Sequence, residues 1–404
     1  YREHPAERYT ACVGASRTRI WSAAVLCTAV LAAIFFLPGN DDGGSEGAAD
    51  KSAVLRATAE PRRSSEPGGE APVPASNDPQ LRAVATDRHF ACDPYPHDLP
   101  SEEGLAARLD RLQQESERRA RALEGSEDVE LRLAAALITD KRSPEHLQRL
   151  LSALALDPDN PLTLERLLDA CINRPESRVC EERDIVERAA EADGDNGATW
   201  GAIAGYRASR GDTDGAVQAL RRGASTGTHR EFFADVVRVI ELGLAATAGD
   251  LSYVERVSEG IGRAAGFTSP WLTASSECRE RADPLWLDAC LDFARHLEEH
   301  SQTVLNRGIG IGLQATIAEQ TGDEAALAAV RKRELDHRNW LDQHLNPDGQ
   351  TVLRGDEGVL RQYLDEFDAH GELAALEFLH DEVERLKRLP GYDPCPAFIS
   401  PPGQ

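Results

Sequence analysis

The chain contains no methionine, and only four of its 45 basic residues are lysine: Lys51, Lys141, Lys332 and Lys387. That bias points to the base composition of the source genome, and a chain opening on Tyr1 is expected to have lost its initiator. Aromatic residues make up only 5% of the sequence, while 28% of it is charged. Alanine, leucine, glutamate and arginine dominate instead, a composition that favours helix. Runs of alternating apolar and polar residues rich in Val, Ile and Thr are missing, so no sheet is expected. No C-x-x-C occurs, which leaves a redox motif or zinc ribbon nothing to stand on. Clustered Lys and Arg are lacking against a formal charge of −24. This argues against nucleic acid or anionic lipid as a partner, because phosphate binding needs concentrated positive charge. Solubility accounts for the acidity.

One long hydrophobic run is present. Ile20 to Leu37, IWSAAVLCTAVLAAIFFL, carries no formal charge and has only Ser22 and Thr28 as polar residues. As a helix it would reach roughly 27 Å, close to the thickness of a bilayer's hydrocarbon core. Residues 1–19 bear Arg2, Arg8, Arg17 and Arg19 against Glu3 and Glu7, whereas Asp41, Asp42, Glu46 and Asp50 follow the run. The basic flank belongs on the cytoplasmic side, so the expected topology is N-terminus inside, with residues 38–404 exported. A cleaved signal peptide is the rival reading. Its apolar core usually spans about 7–15 residues before a small-x-small site, and Phe35-Phe36-Leu37-Pro38 is a poor one. Residues 38–98, rich in Gly, Pro, Ser and Glu, cannot bury enough surface to offset their ordering entropy and are expected to form a disordered tether.

Cysteine usage agrees with export. Beyond the anchor stand Cys92, Cys171, Cys180, Cys278, Cys290 and Cys395, and an even count in an oxidising compartment invites pairing. Six cysteines allow fifteen connectivities. Local spacing favours Cys171 with Cys180 and Cys278 with Cys290, leaving Cys92 with Cys395. Six reduced, buried thiols are the alternative.

From residue 99 to 390 the text is helical, followed by a tail, residues 391–404. Ser143-Pro144 reads as an N-cap followed by proline at the first helical position. Asp157-Pro158-Asp159-Asn160-Pro161, Gly211-Asp212 and Gly322-Asp323 read as tight turns. Units starting near Glu127, Pro161 and Gly197 each give a helix, a turn and a second helix, with a two-residue insertion in the second unit. Trp200, Ile203 and Ala204 fall where the tetratricopeptide repeat has its Trp-x-x-Leu-Gly, Gly211 at its mid-hairpin turn, and Ala216 and Leu220 at its second-helix core positions. Residues 127–230 therefore resemble that 34-residue helical hairpin. The resemblance implies an all-α fold of antiparallel hairpins stacked as a solenoid, binding a partner in a groove lined by each first helix. At the groove positions stand Leu131, Ala135, Glu165, Asp169, Gly201 and Gly205, so the basic clamp for a terminal carboxylate is absent. Such a groove would prefer a basic or hydrophobic segment.

Catalytic patterns are sparse. His296-Leu-Glu-Glu299-His300 reads H-x-x-E-H, which resembles the inverted zinc peptidases. His296 and His300 would be ligands, Glu299 the base, and Glu377 an available third ligand. The family's domain is mixed α/β, however, and acids are so abundant here that a suitably spaced Glu is expected by chance. Gly308-Ile-Gly310-Ile-Gly312 lacks the spacing, the preceding strand and the lysine of a phosphate loop. The expectation is a single-pass bacterial inner-membrane protein with a periplasmic, disulfide-stapled helical-repeat domain that binds another envelope protein or peptide. It needs no cofactor and no nucleic acid. A zinc-dependent hydrolase is the alternative.

Overall fold

A computed structural model describes residues 102–394, except 268–269, 281–282 and 346, with side chains from residue 110 onward. The anchor segment 20–37, the tether 38–98, Cys92 and Cys395 lie outside the described residues. Among the described residues, no helix is long and apolar enough to cross a membrane.

Seventeen α-helices and no strand account for the described residues. They are α1 Glu102–Leu123, α2 Val129–Ile138, α3 Pro144–Leu156, α4 Pro161–Ile172, α5 Val179–Glu182, α6 Ile185–Ala192, α7 Gly197–Ser209 and α8 Thr213–Ala224. There follow α9 Phe233–Thr247, α10 Tyr253–Gly266, α11 Leu272–Glu280, α12 Pro284–His300, α13 Val304–Thr321, α14 Glu324–His344, α15 Pro347–Gly355, α16 Glu357–His370 and α17 Glu372–Lys387.

Local chemistry sets the boundaries. Ser143, Asn160 and Asp283 each cap a helix through the side chain and are followed by proline at its first position, where the missing N–H costs nothing. Ser252 and Glu255 form a reciprocal capping box at α10, satisfying two donors that would otherwise be bare. Gly211 and Gly322 turn the chain with φ of +75° and +70°, a conformation that side chains with a Cβ resist. Asp212 and Asp323 then cap the next helices. The second hairpin departs from the expected pattern. Its second helix is split into α5 and α6 by Asp184, which sits in the left-handed region at φ +51°.

Two disulfides pin hairpin turns. Cys171 and Cys180 join α4 to α5 with Cα atoms 6.4 Å apart, and Cys278 and Cys290 join α11 to α12 at 5.9 Å.

Packing follows chain order for most of the molecule. Helix α2 pairs with α3, α3 touches α4, α4 lies on α7, and α7 pairs with α8. The stack continues from α7 to α11 and from α8 to α12, then through α13 and α14 to α17 and α16. The α9–α10 hairpin leaves this order. Helix α9 packs on α1 and α2, and both helices of the hairpin touch α16, so the packing circuit closes on itself. Close approach of α9 to α2 requires Gly243, since a Cβ there would lie 2.6 Å from the Ala134 methyl. Polar contacts fasten the same seam: Arg263 donates to the Ser116 hydroxyl at 2.6 Å and Lys141 to the Gly266 carbonyl at 2.7 Å.

Closure fills the positions expected to line a groove. Ala135, Glu165, Asp169, Gly201 and Gly205 are all buried, and Leu131 is half-buried. Gly201 faces Phe293 and Trp271, and Gly205 faces the Pro270 carbonyl. Glu165 pairs with the equally buried Arg166, whose guanidinium lies 5.4 Å over the Phe267 ring. Burial raises the Glu165 and Asp169 carboxyls above their ordinary values. At these positions the partner is the protein's own chain.

Candidate functional site

Four helix starts meet in one region. The loop between α8 and α9, Ser225 to Phe232, passes the start of α7 on one side and the start of α13 on the other. Parallel bridge pairs form at Asn196 with Thr228 and at His229 with Ser301. The Gly197 N–H donates to the Thr228 carbonyl at 2.8 Å. The Asn196 carboxamide accepts from the Arg230 N–H at 2.8 Å and donates back to the Arg230 carbonyl at 3.0 Å. Phe232 ends the loop at φ +58°, redirecting the chain into α9.

On the far side, the Glu231 carboxylate accepts from the Gln302 N–H at 3.1 Å, the Thr303 N–H at 3.4 Å, the Thr303 hydroxyl at 3.1 Å and the Asn306 amide at 3.1 Å. Glu372, the first residue of α17, reaches the same helix. Its N–H donates to the Gln302 carbonyl at 2.7 Å, and its carboxyl accepts from the Val304 N–H at 2.8 Å. Two carboxyls, one from the loop before α9 and one from α17, therefore occupy one N-terminus, where bare donors and the helix dipole favour negative charge. Burial nevertheless pushes both up to about 7.

Between these contacts lies a row of rings. His229 is 1% exposed, with its centroid 5.4 Å from His296 and 5.8 Å from Phe293. His296 in turn lies 4.8 Å from His300, which is exposed beside Glu299. Neither ring nitrogen of His229, nor Nδ1 of His296, nor the Ser301 hydroxyl has a hydrogen-bond partner. Burial holds the His296 imidazolium down to about 4 and His229 well below its usual value, so both rings are neutral at physiological pH. Gly197 is needed beneath them, because a Cβ there would collide with His296. Outside, a recess of about 390 Å³ is lined by Asp195, Arg222, Thr226 and Thr228. The Thr226 hydroxyl lies 3.4 Å from Nε2 of His296.

Of the H-x-x-E-H residues, His296 is buried, while Glu299 and His300 are exposed at the end of α12. Glu377 is exposed on α17. Among the described residues no three His, Cys, Asp or Glu side chains converge in a way that could hold a metal ion. Of the repeat-core residues, Ile203, Ala204, Ala216 and Leu220 are buried, Gly211 makes its turn in the left-handed region, and Trp200 is only half-buried. Its indole donates to the Gly194 carbonyl at 2.7 Å, and the Arg222 guanidinium covers its face at 5.3 Å.

His229, Glu231 and Glu372 escaped the sequence reading. The first two sit in a short polar stretch, THRE, just ahead of an apolar helix, and a histidine or glutamate there carries no periodic signal. Their importance comes from contacts with residues roughly seventy positions away. Compared with known proteins, the chain matches no protein-family model, no curated protein and no solved structure.

Proposed function

We propose that this chain is a single-pass, N-inside protein of a bacterial inner membrane. Its periplasmic domain would be a tetratricopeptide-like stack of hairpins acting as a non-catalytic scaffold for another envelope protein. The observation that carries this reading is the pair of bridged hairpin turns, Cys171 with Cys180 and Cys278 with Cys290, since such bridges persist in oxidising compartments. The charged run-up to residues 20–37 supports the same orientation. Because the first-helix positions are covered by the chain itself, the partner docks on the outer surface. The net charge of −24 favours a partner segment that is basic.

The test combines topology with capture. A periplasm-active reporter fused to the C-terminus of the full chain is expected to be active, and non-reducing mass spectrometry is expected to find both bridges. Photo-crosslinking from exposed positions on α14 in intact cells is expected to trap one discrete envelope protein, with a yield that falls at high salt. A reporter active only in the cytosol would sink the assignment. Stoichiometric zinc in the purified chain, lost on His296→Ala, would replace it with the hydrolase reading.

A further inference from the structure

We propose that the Glu231–Glu372 pair at the start of α13 is a proton-operated latch holding the circuit of helices closed. A proton held by the pair keeps the junction shut, and its loss loosens it.

The geometry assigns the two carboxyls different roles. Glu231 meets four donors from Gln302, Thr303 and Asn306, and the Arg307 guanidinium on the same helix acts on it electrostatically. Arg307 is held there by the Ser301 carbonyl at 3.0 Å. Glu231 is therefore the better compensated of the two and the first to ionise. Glu372 is 4% exposed and meets one donor, the Val304 N–H. Its neighbours offer no compensating cation. Tyr363 of α16 faces it as a buried phenol whose own ionisation is suppressed, and Glu231 adds a like charge. Glu372 therefore holds the proton. Two carboxyls at one helix start that act on each other electrostatically titrate as a unit, the second ionisation being opposed by the first.

The other charged groups around the junction leave that assignment intact. Arg230 is engaged by Asp235 at 2.7 Å, with Asp368 at 3.9 Å. His337 of α14 bonds the Val304 carbonyl and is shifted towards its neutral form by burial. Glu298 of α12 is paired with Arg333 at 2.8 Å. His229 precedes Glu231 by two residues and is neutral. When Glu372 ionises, a second negative charge enters a dry site that already holds one. The contacts at risk are those joining α13 to the loop before α9 and to α17, the two places where distant parts of the chain are tied to the same helix start.

Hydrogen exchange on the full chain in detergent micelles tests this, with protection factors corrected for the intrinsic pH dependence of exchange. Protection of the Thr303, Val304 and Glu372 amides is expected to fall at least tenfold between pH 6 and pH 8, while the Ile203 amide in α7 keeps its protection. Glu372→Gln is expected to abolish the fall. Glu231→Gln, which removes the like charge, is expected to move its midpoint to lower pH, a shift that a merely structural role would not produce. Carboxyl carbon NMR of the unmutated chain provides a reading that needs no variant. Glu372 is expected to titrate near neutrality, and a midpoint below about 5, the ordinary carboxyl range, overturns the proposal. So does protection that is independent of pH, or a fall of unchanged size in Glu372→Gln.

Discussion

Trp271 and Trp200 lie on adjoining elements and have different surroundings. Trp271 is 1% exposed, packed 5.9 Å from Phe293 and against Gly201 of α7. Truncating it to alanine empties a large volume in the centre, and Trp271→Ala is expected to cost about 3–5 kcal/mol in chemical denaturation. Trp200→Ala is expected to cost less, about 1–2 kcal/mol, because part of the ring already meets water. The repeat resemblance placed Trp200 at a core position, and the structure leaves it half-buried. The depth belongs to Trp271, whose place depends on how a later hairpin docks on α7, and no spacing in the sequence encodes that. Gly205 reports the same docking. Gly205→Ala would drive a Cβ into the Pro270 carbonyl, and the backbone shift is expected to destabilise by about 1–3 kcal/mol in the same measurement.

At the scale of elements, boundaries were the legible part. Ser143-Pro144, Asn160-Pro161 and Gly211-Asp212 each combine a capping side chain or permissive backbone with a residue that cannot continue the previous helix, and each marks a helix start or turn. The local cysteine spacings were legible for the same reason, since a hairpin brings its two ends together. The break at Asp184 was not, because left-handed backbone at an aspartate leaves no compositional trace. Reducing either bridge releases a loop of about ten residues, and each double Cys→Ser variant is expected to lose about 2–3 kcal/mol relative to the oxidised protein. Equal denaturation midpoints with and without reductant would show that the hairpins hold without their staples.

For the whole molecule, buried acids and buried histidines pull stability in opposite directions. Glu231 and Glu372 have folded values of about 7 against 4.5 when unfolded, so the folded chain binds extra protons in that interval. Their contribution is present at low pH and is lost as pH rises towards and beyond 7. His146 and His296 have folded values of about 4 against 6.5, so their contribution is lost as pH falls from 6.5 towards 4. The two trends oppose each other between 4.5 and 6.5. Thermal unfolding across pH is therefore expected to show a plateau between about pH 4.5 and 6.5 and a decline from about pH 6.5 to about 7.5. A curve that keeps rising to pH 8 would mean that the buried acids are ionised in the folded chain. None of this was readable beforehand, because a lone Glu or His carries no mark of the dielectric it will occupy.

The detour of the α9–α10 hairpin also sets a schedule for synthesis. Helix α2 is almost wholly apolar, with Leu133 through Ile138 buried, and one of its covers is α9. Roughly a hundred residues must emerge before that cover exists, which at ribosomal speeds of about 5–20 residues per second leaves the strip bare for about 5–20 s. During that interval the face of α2 that α9 will cover has no native mate, and a holding chaperone has its target there.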